Sequence, residues 1–394
     1  MSLVRAGNAM EIEPIYASYI LLAVIVTSYT ISTVQTFGTV NNYLADEVWY
    51  PTAAYNYLKL IFGVTPHMYI GYPNESGIQT YMNYEHPPLG KYFMALSILA
   101  LGYSPVSWRL PSWILGDLII IVGFLFGEKL YEITTKEKSK TGIPGLVAAF
   151  LIAADPTIWV VHGIALLEIY DAFFSLLSVY ALISKRYLLA SVSFGLAFLS
   201  MDPAIVFGIP FLWYMLKNVK SNTKRILYIL VIPLVLYIEF SAPLIWYNGG
   251  LYPWFQNAVL GRAIWEFQGG HTTAFTTPSP LNWMLNPTPF DLNNNIVLTV
   301  NPVIFLLGAA LTIFMLISRR KEYKMLLYVS YWAWLMYLAF IVVYFIGTTT
   351  LLCSPANCSG GRSFPWWAAT FLPILDVFIA VSFLSIFRLN RSKI

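Results

Sequence analysis

The sequence predicts an all-α protein that crosses a membrane many times. Hydrophobic residues make up 58% of its 394 residues and the mean hydropathy is +0.65, whereas roughly half of the residues of a soluble domain are apolar. Repeated apolar runs of about 18 residues or more match the thickness of a bilayer. Aromatic residues reach 17% of the chain, as expected where Trp and Tyr line both membrane interfaces. This composition argues against a soluble enzyme.

Apolar windows predict about ten transmembrane helices in a single domain that covers residues 1–394. The predicted spans are 15–36, 109–131, 143–161, 164–184, 187–200, 203–217, 226–247, 301–318, 325–346 and 366–387. The two spans between 187 and 217 are short and could form a helix pair or one broken helix. Residues 88–103 are short for a span and are expected to be partly buried or interfacial. The N-terminal residues show no small-residue cleavage pattern, so the first span is expected to be a retained helix and not a signal peptide.

The distribution of basic residues predicts which side of the membrane each loop occupies. Eighteen of the 23 Lys and Arg residues fall in one set of alternating loops, and five fall in the other set. Because basic loops stay in the cytoplasm, both termini are expected to be cytoplasmic. The loops 37–108, 248–300 and 347–365 are then extracytoplasmic, and they contain all the material able to form an active site. We expect the cell membrane as the location.

The two cysteines, Cys353 and Cys358, lie in the last of these outer loops. Four intervening residues that include Pro and Asn are compatible with a small disulfide-closed turn in an oxidising compartment. Free thiols are the alternative.

The adjacent carboxylates Asp46 and Glu47 follow the first apolar segment, in a chain with only 11% charged residues. Ionisable residues at or within a bilayer are functional candidates. A carboxylate next to lipid and protein walls has its pKa raised by desolvation, which suits a general base. The alternative is a polar helix end that snorkels into the headgroup region. A divalent cation such as Mg²⁺ or Mn²⁺ is also compatible with an acidic pair.

Further titratable residues fall on the same outer side. They are Glu85, His86, Lys91, Arg109, Glu168, Asp171, Arg262, His271 and Arg362. In the run HPPLGK, two prolines fix an extended entry into the next segment, which would hold His86 and Lys91 at the membrane surface; an ordinary helix start is equally compatible. The 248–300 loop mixes aromatic and polar residues, a pattern that suits sugar binding and also any interfacial loop.

Taken in order, six motifs resemble the protein O-mannosyltransferase family, membrane glycosyltransferases with the GT-C fold. The motifs are ADE after the first helix, HPPLGK, WRLPSWILG, GIALLEIYDAFF, an outer loop of the form H…SPLNW…NPVIF, and GRSFPWWAATFLP. The resemblance implies a GT-C architecture in which extracytoplasmic loops form the active site. It also implies inverting transfer of a sugar, typically mannose, from a polyprenyl or dolichyl phosphate to a Ser or Thr hydroxyl of a translocated protein. Neither a nucleic-acid partner nor a required metal is implied.

The resemblance also implies residue roles. Asp46 is expected to be the catalytic base, and Glu47 is expected to hold the acceptor. Arg109 and Arg362 are candidates for the carrier phosphate. The remaining substrate-binding candidates are Glu85, His86, Lys91, Glu168 and His271.

The chain departs from the family pattern at two places. Glu168 stands where Asp is usual, with no Arg before it, so that His162 could take over part of the donor site. Trp366 and Trp367 replace a usual Tyr and His. The large luminal insert of eukaryotic members is missing, which favours a prokaryotic, archaeal-type enzyme.

Two other functions stay open at the level of sequence. A GT-C enzyme that modifies a lipid acceptor would share the same motifs. A transporter or membrane scaffold would use charges along a central path, for which Asp117, Glu239 and Asp376 are the candidates.

Overall fold

The computed structural model describes residues 14–261, 279–292, 296–347 and 363–391, and these ranges are predominantly helical. The α-helices are α1 Pro14–Phe37, α2 Tyr50–Asn56, α3 Leu89–Leu101, α4 Pro105–Thr135, α5 Ile143–Ala154, α6 Pro156–Gly163, α7 Glu168–Ile183, α8 Tyr187–Ser200, α9 Gly208–Asn218, α10 Asn222–Ile226, α11 Ile232–Tyr247, α12 Leu251–Phe255, α13 Pro280–Leu285, α14 Pro302–Ser318, α15 Lys324–Gly347 and α16 Leu372–Arg391. Short 3₁₀ segments are Ala45–Val48, Ile78–Thr80, Asp202–Phe207, Lys321–Tyr323 and Pro365–Thr370, and π-helical segments are Tyr57–Ile61, Leu227–Val231 and Gln256–Leu260. Strands β1 Phe290–Asp291 and β2 Val297–Leu298 pair antiparallel.

Helices are the expected solution for a chain in lipid, because every backbone N–H and C=O must be satisfied within the segment. Five helices of the described ranges are long and apolar enough to cross a membrane: Pro14–Phe37, Pro105–Thr135, Asn222–Tyr247, Lys321–Phe345 and Leu372–Asn390. The bent pair α5 and α6 passes the same test as a pair, and it makes a sixth if the two helices form one broken span. Each predicted span overlaps a helix, so the all-α membrane architecture is confirmed. Because α7, α8, α9 and α14 are short, the number of ten spans stays a prediction.

The break between α5 and α6 follows directly from the sequence Asp155–Pro156. Proline disfavours the helical conformation in the residue before it, and Asp155 is extended (φ −73°, ψ 117°). Its Oδ1 then accepts hydrogen bonds from Thr157 N at 2.7 Å and Ile158 N at 3.2 Å. This side chain satisfies the first free N–H groups of α6. The two helices consequently meet at 64°.

Helix α4 lies at the centre of the bundle and packs against α1, α3, α5, α7 and α16. Close approach to α6 depends on Gly116, because a Cβ at that position would lie 2.3 Å from the His162 ring. Trp113 Nε1 also donates to the Gly163 carbonyl at 2.9 Å. Small residues that let helices approach closely are typical of membrane interiors. The contact fixes the α6–α7 junction against α4.

The periphery of the bundle is formed by α1 and by the continuous helix 222–247, which expose apolar side chains such as Leu21, Val24, Leu234 and Ile238. These faces are suited to lipid contact. At one end of the bundle, the C-terminus of α1, the N-terminus of α4 and the α6–α7 junction come together. Residues 38–104 cover this end.

Candidate active site

The acidic pair lies on a tight 3₁₀ turn, Ala45–Val48, that sends its two carboxylates into different surroundings. Ala45 has a left-handed backbone (φ 47°), which costs about 1 kcal/mol for a residue with a Cβ. Glu47 N bonds to Leu44 O at 3.0 Å, and Trp49 N bonds to Asp46 O at 2.9 Å. Glu47 is fully buried, whereas Asp46 is partly exposed. The turn therefore leaves the Asp46 carboxylate partly exposed and buries the Glu47 carboxylate.

Glu47 accepts four hydrogen bonds. Arg109 Nε donates to its Oε1 at 2.7 Å and Arg109 Nη2 donates to its Oε2 at 2.6 Å. Leu44 N and Ala165 N each donate to it at 2.9 Å. Forked Arg–carboxylate bonds of this kind are strong and geometrically specific. Since Ala165 lies in the α6–α7 junction, Glu47 ties the acidic turn to the transmembrane bundle.

Arg109 uses all five of its N–H bonds within the protein. Besides the two bonds to Glu47, Nη1 donates to Phe37 O at 2.9 Å and Val40 O at 2.7 Å, and Nη2 donates to Asn42 O at 2.7 Å. Its side chain is completely buried. The expectation that Arg109 binds a carrier phosphate therefore does not match its geometry, because no donor is left for a phosphate oxygen. Its place is behind the acidic turn, at the C-terminal end of α1.

The bonds between Glu47 and Arg109 also affect whether the acidic pair could bind a divalent cation. Both Glu47 oxygens are already bonded to Arg109, and an ion between Glu47 and Asp46 would have to displace that cation. In the described ranges no three His, Cys, Asp or Glu side chains converge. The acidic pair as folded does not fit a two-carboxylate metal site.

Aromatic residues connect Asp46 to the HPPLGK motif. Tyr50 Oη donates to Asp46 Oδ2 at 3.3 Å. The same Tyr50 ring lies edge-on to the His86 ring, with centroids 5.4 Å apart. The adjacent Trp49 packs against Tyr81, with ring centroids 5.3 Å apart. The structure thus brings together the first two motifs, which are forty residues apart in sequence.

Glu85 lies in a polar turn next to these aromatic rings. Tyr81 Oη donates to Glu85 Oε1, and Asn83 Nδ2 donates to the same oxygen at 3.0 Å. Burial raises the pKa of the Tyr81 hydroxyl, and the negative charges of Glu85 and Asp46 raise it further. Tyr81 therefore stays protonated at any physiological pH, as a permanent donor to Glu85.

Glu168 and Asp171 lie in the first turn of α7 and are fully buried. Glu168 follows Ala165, the Glu47 partner, by three residues. Asp171 Oδ1 accepts from Ser175 Oγ at 2.7 Å. His162 is also buried: Nε2 lies 2.9 Å from Thr33 Oγ1, Nδ1 lies 2.8 Å from Trp159 O, and the ring stacks on Tyr29. His162 is thus part of the packing between α1 and α6.

Several predicted site residues lie outside the described residues. They are Arg262, His271, Arg362, Cys353 and Cys358. Their roles, including the disulfide, stay predictions. Trp366 and Trp367 are described and buried, in the 3₁₀ segment before α16.

Sequence reasoning missed Tyr50, Tyr81 and Asn83. All three lie within five residues of a predicted site residue, in the runs DEVWY and YMNYEH. An unusual density of aromatic and amide side chains beside the acids was the available signal, since Tyr and Asn can donate hydrogen bonds to carboxylates.

The charged residues considered for a transport path are scattered. Asp117 on α4 accepts a hydrogen bond from Thr30 Oγ1 at 2.8 Å, Glu239 is exposed on peripheral α11, and Asp376 is buried on α16. They lie on three different helices.

Comparison with known families gives a match over part of the chain. Residues 85–246 match the family model described as "Dolichyl-phosphate-mannose-protein mannosyltransferase". The matched range includes HPPLGK, Arg109 and Glu168 but begins after Asp46 and Glu47. A search of curated proteins gives no match.

Solved structures give a likeness over nearly the whole chain. ArnT from Cupriavidus metallidurans bound to undecaprenyl phosphate superimposes with a TM-score of 0.60 at 14% identity, over 93% of this chain and 60% of that one. The Archaeoglobus fulgidus oligosaccharyltransferase in its apo form gives 0.56 at 13%, over 98% and 52%. The archaeal oligosaccharyltransferase AglB from the same organism, with an inhibitory peptide and a dolichol-phosphate, gives 0.52 at 13%, over 96% and 52%.

These likenesses show the fold. The chain spans between about half and three fifths of the length of these proteins. They are GT-C glycosyltransferases, so the predicted GT-C architecture is confirmed. The family match agrees with the resemblance for the motifs that lie within residues 85–246.

Proposed function

We propose that this chain, which has the GT-C fold and a segment matching the dolichyl-phosphate-mannose-protein mannosyltransferase family, is a glycosyltransferase that takes its sugar from a polyprenyl or dolichyl phosphate. The description of the matched family names such a donor. Two structures of similar fold contain undecaprenyl phosphate or dolichol-phosphate. The observation that carries the proposal is the geometry of the acidic turn: a buried Glu47–Arg109 pair holds a partly exposed Asp46, which accepts from Tyr50, and the Tyr50 ring packs on His86.

The transferred sugar is mannose and the acceptor is a Ser or Thr hydroxyl of a protein or peptide. Support for both comes from the family description and from the order of the motifs. A lipid acceptor is the competing assignment, because GT-C enzymes with different acceptors share one fold.

The chemistry is a single displacement. The Asp46 carboxylate takes the proton of the acceptor hydroxyl as its oxygen bonds to the anomeric carbon of the sugar. The bond from that carbon to the phosphate oxygen breaks, and the carrier phosphate leaves with the electron pair. Attack opposite the leaving group inverts the anomeric configuration. A hydroxyl is a poor nucleophile, so a fixed base is the group this reaction needs most.

The other residues divide into positioning and binding groups. Glu47 and Arg109 position Asp46 by anchoring its turn. His86, together with Arg362 and His271 from the later loops, remains for the carrier phosphate and the sugar, since donors there stabilise charge that develops on the leaving group. Glu85 and Glu168 are carboxylates suited to sugar hydroxyls.

The site faces the extracytoplasmic side of the cell membrane, with both termini in the cytoplasm. The bias of Lys and Arg residues toward the opposite loops supports this orientation.

The test is a transfer assay with purified protein and radiolabelled lipid-phosphate mannose. Peptides containing Ser or Thr are offered in parallel with lipid acceptors. Label that is incorporated into the peptide, and that β-elimination then releases from it, supports the proposal. Label only in the lipid acceptor supports the competing assignment, and no label in either contradicts transferase activity with this donor.

A further inference from the structure

Lys91 in HPPLGK is an ammonium group buried completely within the protein. Burying a charge is strongly unfavourable unless the charge is well bonded. Its Nζ lies 2.6 Å from Asn83 O, 2.8 Å from Asn83 Oδ1 and 2.7 Å from His86 O. Nζ also lies 5.8 Å from the Tyr57 ring centroid. Three oxygens thus surround an ammonium group that has three N–H bonds.

The three oxygens belong to one short turn, residues 83–86. Asn83 has a left-handed backbone (φ 49°), and His86 N closes the turn on Asn83 O at 3.3 Å. Asn83 is bonded at both ends of its amide: Oδ1 accepts from Lys91, while Nδ2 donates to Tyr81 Oη at 2.8 Å and to Glu85 at 3.0 Å. Lys91 therefore holds both the backbone of the turn and the side chain that orients Glu85.

The 83–86 turn lies next to Tyr50, the residue that contacts Asp46. Its last residue, His86, packs against Tyr50, and Tyr50 donates to Asp46. Since α3 begins at Leu89, Lys91 lies on the first turn of a helix that is itself packed on the bundle. Because Lys91 belongs to α3, its hydrogen bonds fix the turn with Glu85 and His86 relative to that helix.

We propose that Lys91 is a positioning residue for the transfer reaction: it fixes the 83–86 turn so that Glu85 and His86 face the substrates beside Asp46. The inference rests on the proposed function. It differs from the expectation that Lys91 binds substrate directly, because burial keeps its ammonium on the protein side of the turn.

The kinetic test compares Lys91→Met with Lys59→Met. Lys59 is exposed in the same outer segment and serves as the matched control. Loss of the ammonium should lower kcat by about 100-fold, the scale of an ångström-level displacement. The KM for the lipid-phosphate sugar should rise by less than kcat falls, because contacts from His86 and Glu85 strengthen in the transition state. Lys59→Met should match the wild type. A large rise in donor KM with little change in kcat would make Lys91 a donor ligand and overturn the proposal.

Amide hydrogen exchange gives a second readout that needs no activity. Exchange in residues 81–86 should be at least about tenfold faster in Lys91→Met than in wild type, while exchange in α4 is unchanged. Equal exchange in 81–86 overturns the proposal. If the wild type transfers no sugar, the proposed function fails, yet this measurement still decides whether Lys91 fixes the turn.

Asn83→Gly covers the case in which Lys91→Met does not fold. Glycine accepts the left-handed backbone but removes Oδ1 and Nδ2. It should lower kcat by more than it raises the donor KM, as in Lys91→Met. Wild-type kcat and wild-type exchange in Asn83→Gly contradict the assigned role of the turn.

Discussion

Arg109 holds both oxygens of Glu47, at 2.7 and 2.6 Å, in a position where neither side chain is exposed. The pair joins three parts of the chain: the acidic turn, the end of α1 and the α6–α7 junction. It makes the second acid of the motif a structural anchor, and it leaves the first acid available at the surface.

Arg109→Met should strongly destabilise the protein. It leaves the Glu47 carboxylate buried without its cation, a change that typically costs about 3–5 kcal/mol. The measurement is the midpoint of thermal unfolding in detergent. Arg388→Met is the matched control, because Arg388 pairs with Glu137 on an exposed surface, where ion pairs contribute little. Equal midpoints for the two variants would contradict an anchoring role.

Asp155→Ala should lower stability by about 1 kcal/mol, because it removes the side-chain cap of α6. Asp155→Asn should be much milder, since an amide oxygen can still accept from Thr157 N and Ile158 N. The comparison is made on unfolding midpoints of both variants. If Asn is as damaging as Ala, the carboxylate acts by a route other than capping.

Alkaline stability should depend on Tyr43, in the segment between α1 and α2. Burial raises the pKa of Tyr43 to about 12, and the nearby Glu47 charge contributes in the same direction. The unfolded chain ionises its tyrosines near pH 10. Between about pH 10 and 12 the folded state keeps a proton that the unfolded state has released, so stability falls as pH rises.

Tyr43→Phe cannot ionise and should make this fall in stability shallower. The measurement is the unfolding midpoint from pH 9 to 12. Tyr69→Phe, at a residue 65% exposed, should keep the wild-type slope. An unchanged slope in Tyr43→Phe would exclude Tyr43 as a source of the alkaline loss.

Much of the fold was predictable, because a bilayer fixes the length of a spanning helix and requires its backbone N–H and C=O groups to be hydrogen-bonded within the chain. Apolar length located the long helices to within several residues but did not predict the short helices α2, α12 and α13. The Asp155–Pro156 pair accounts for the bend between α5 and α6. The short helices α8 and α9 were ambiguous, since a 14-residue apolar run suits a span, an interfacial helix or half of a broken helix.

The sequence indicated which of the described residues lie near one another, but not what each of them contacts. Because successive loops lie on opposite sides of the membrane, the sequence predicts that Asp46 and His86 lie on the same side of the bundle. Which carboxylate is buried depends on the left-handed Ala45 and on an arginine 62 residues away from Glu47, and neither follows from local pattern. Lys91 looked like a substrate ligand for the same reason: its burial depends on the 83–86 turn.

The role of Asp46 as general base is tested most directly by the rate of sugar transfer by Asp46→Asn, measured beside Glu75→Gln. Glu75 is an exposed carboxylate in the segment between α2 and α3 and controls for loss of a charge. As the general base, Asp46 should be worth about 10²- to 10⁴-fold in kcat, with little change in the unfolding midpoint because its side chain is partly exposed. We expect Asp46→Asn to be folded and nearly inactive and Glu75→Gln to be fully active. Wild-type transfer by folded Asp46→Asn would contradict the account.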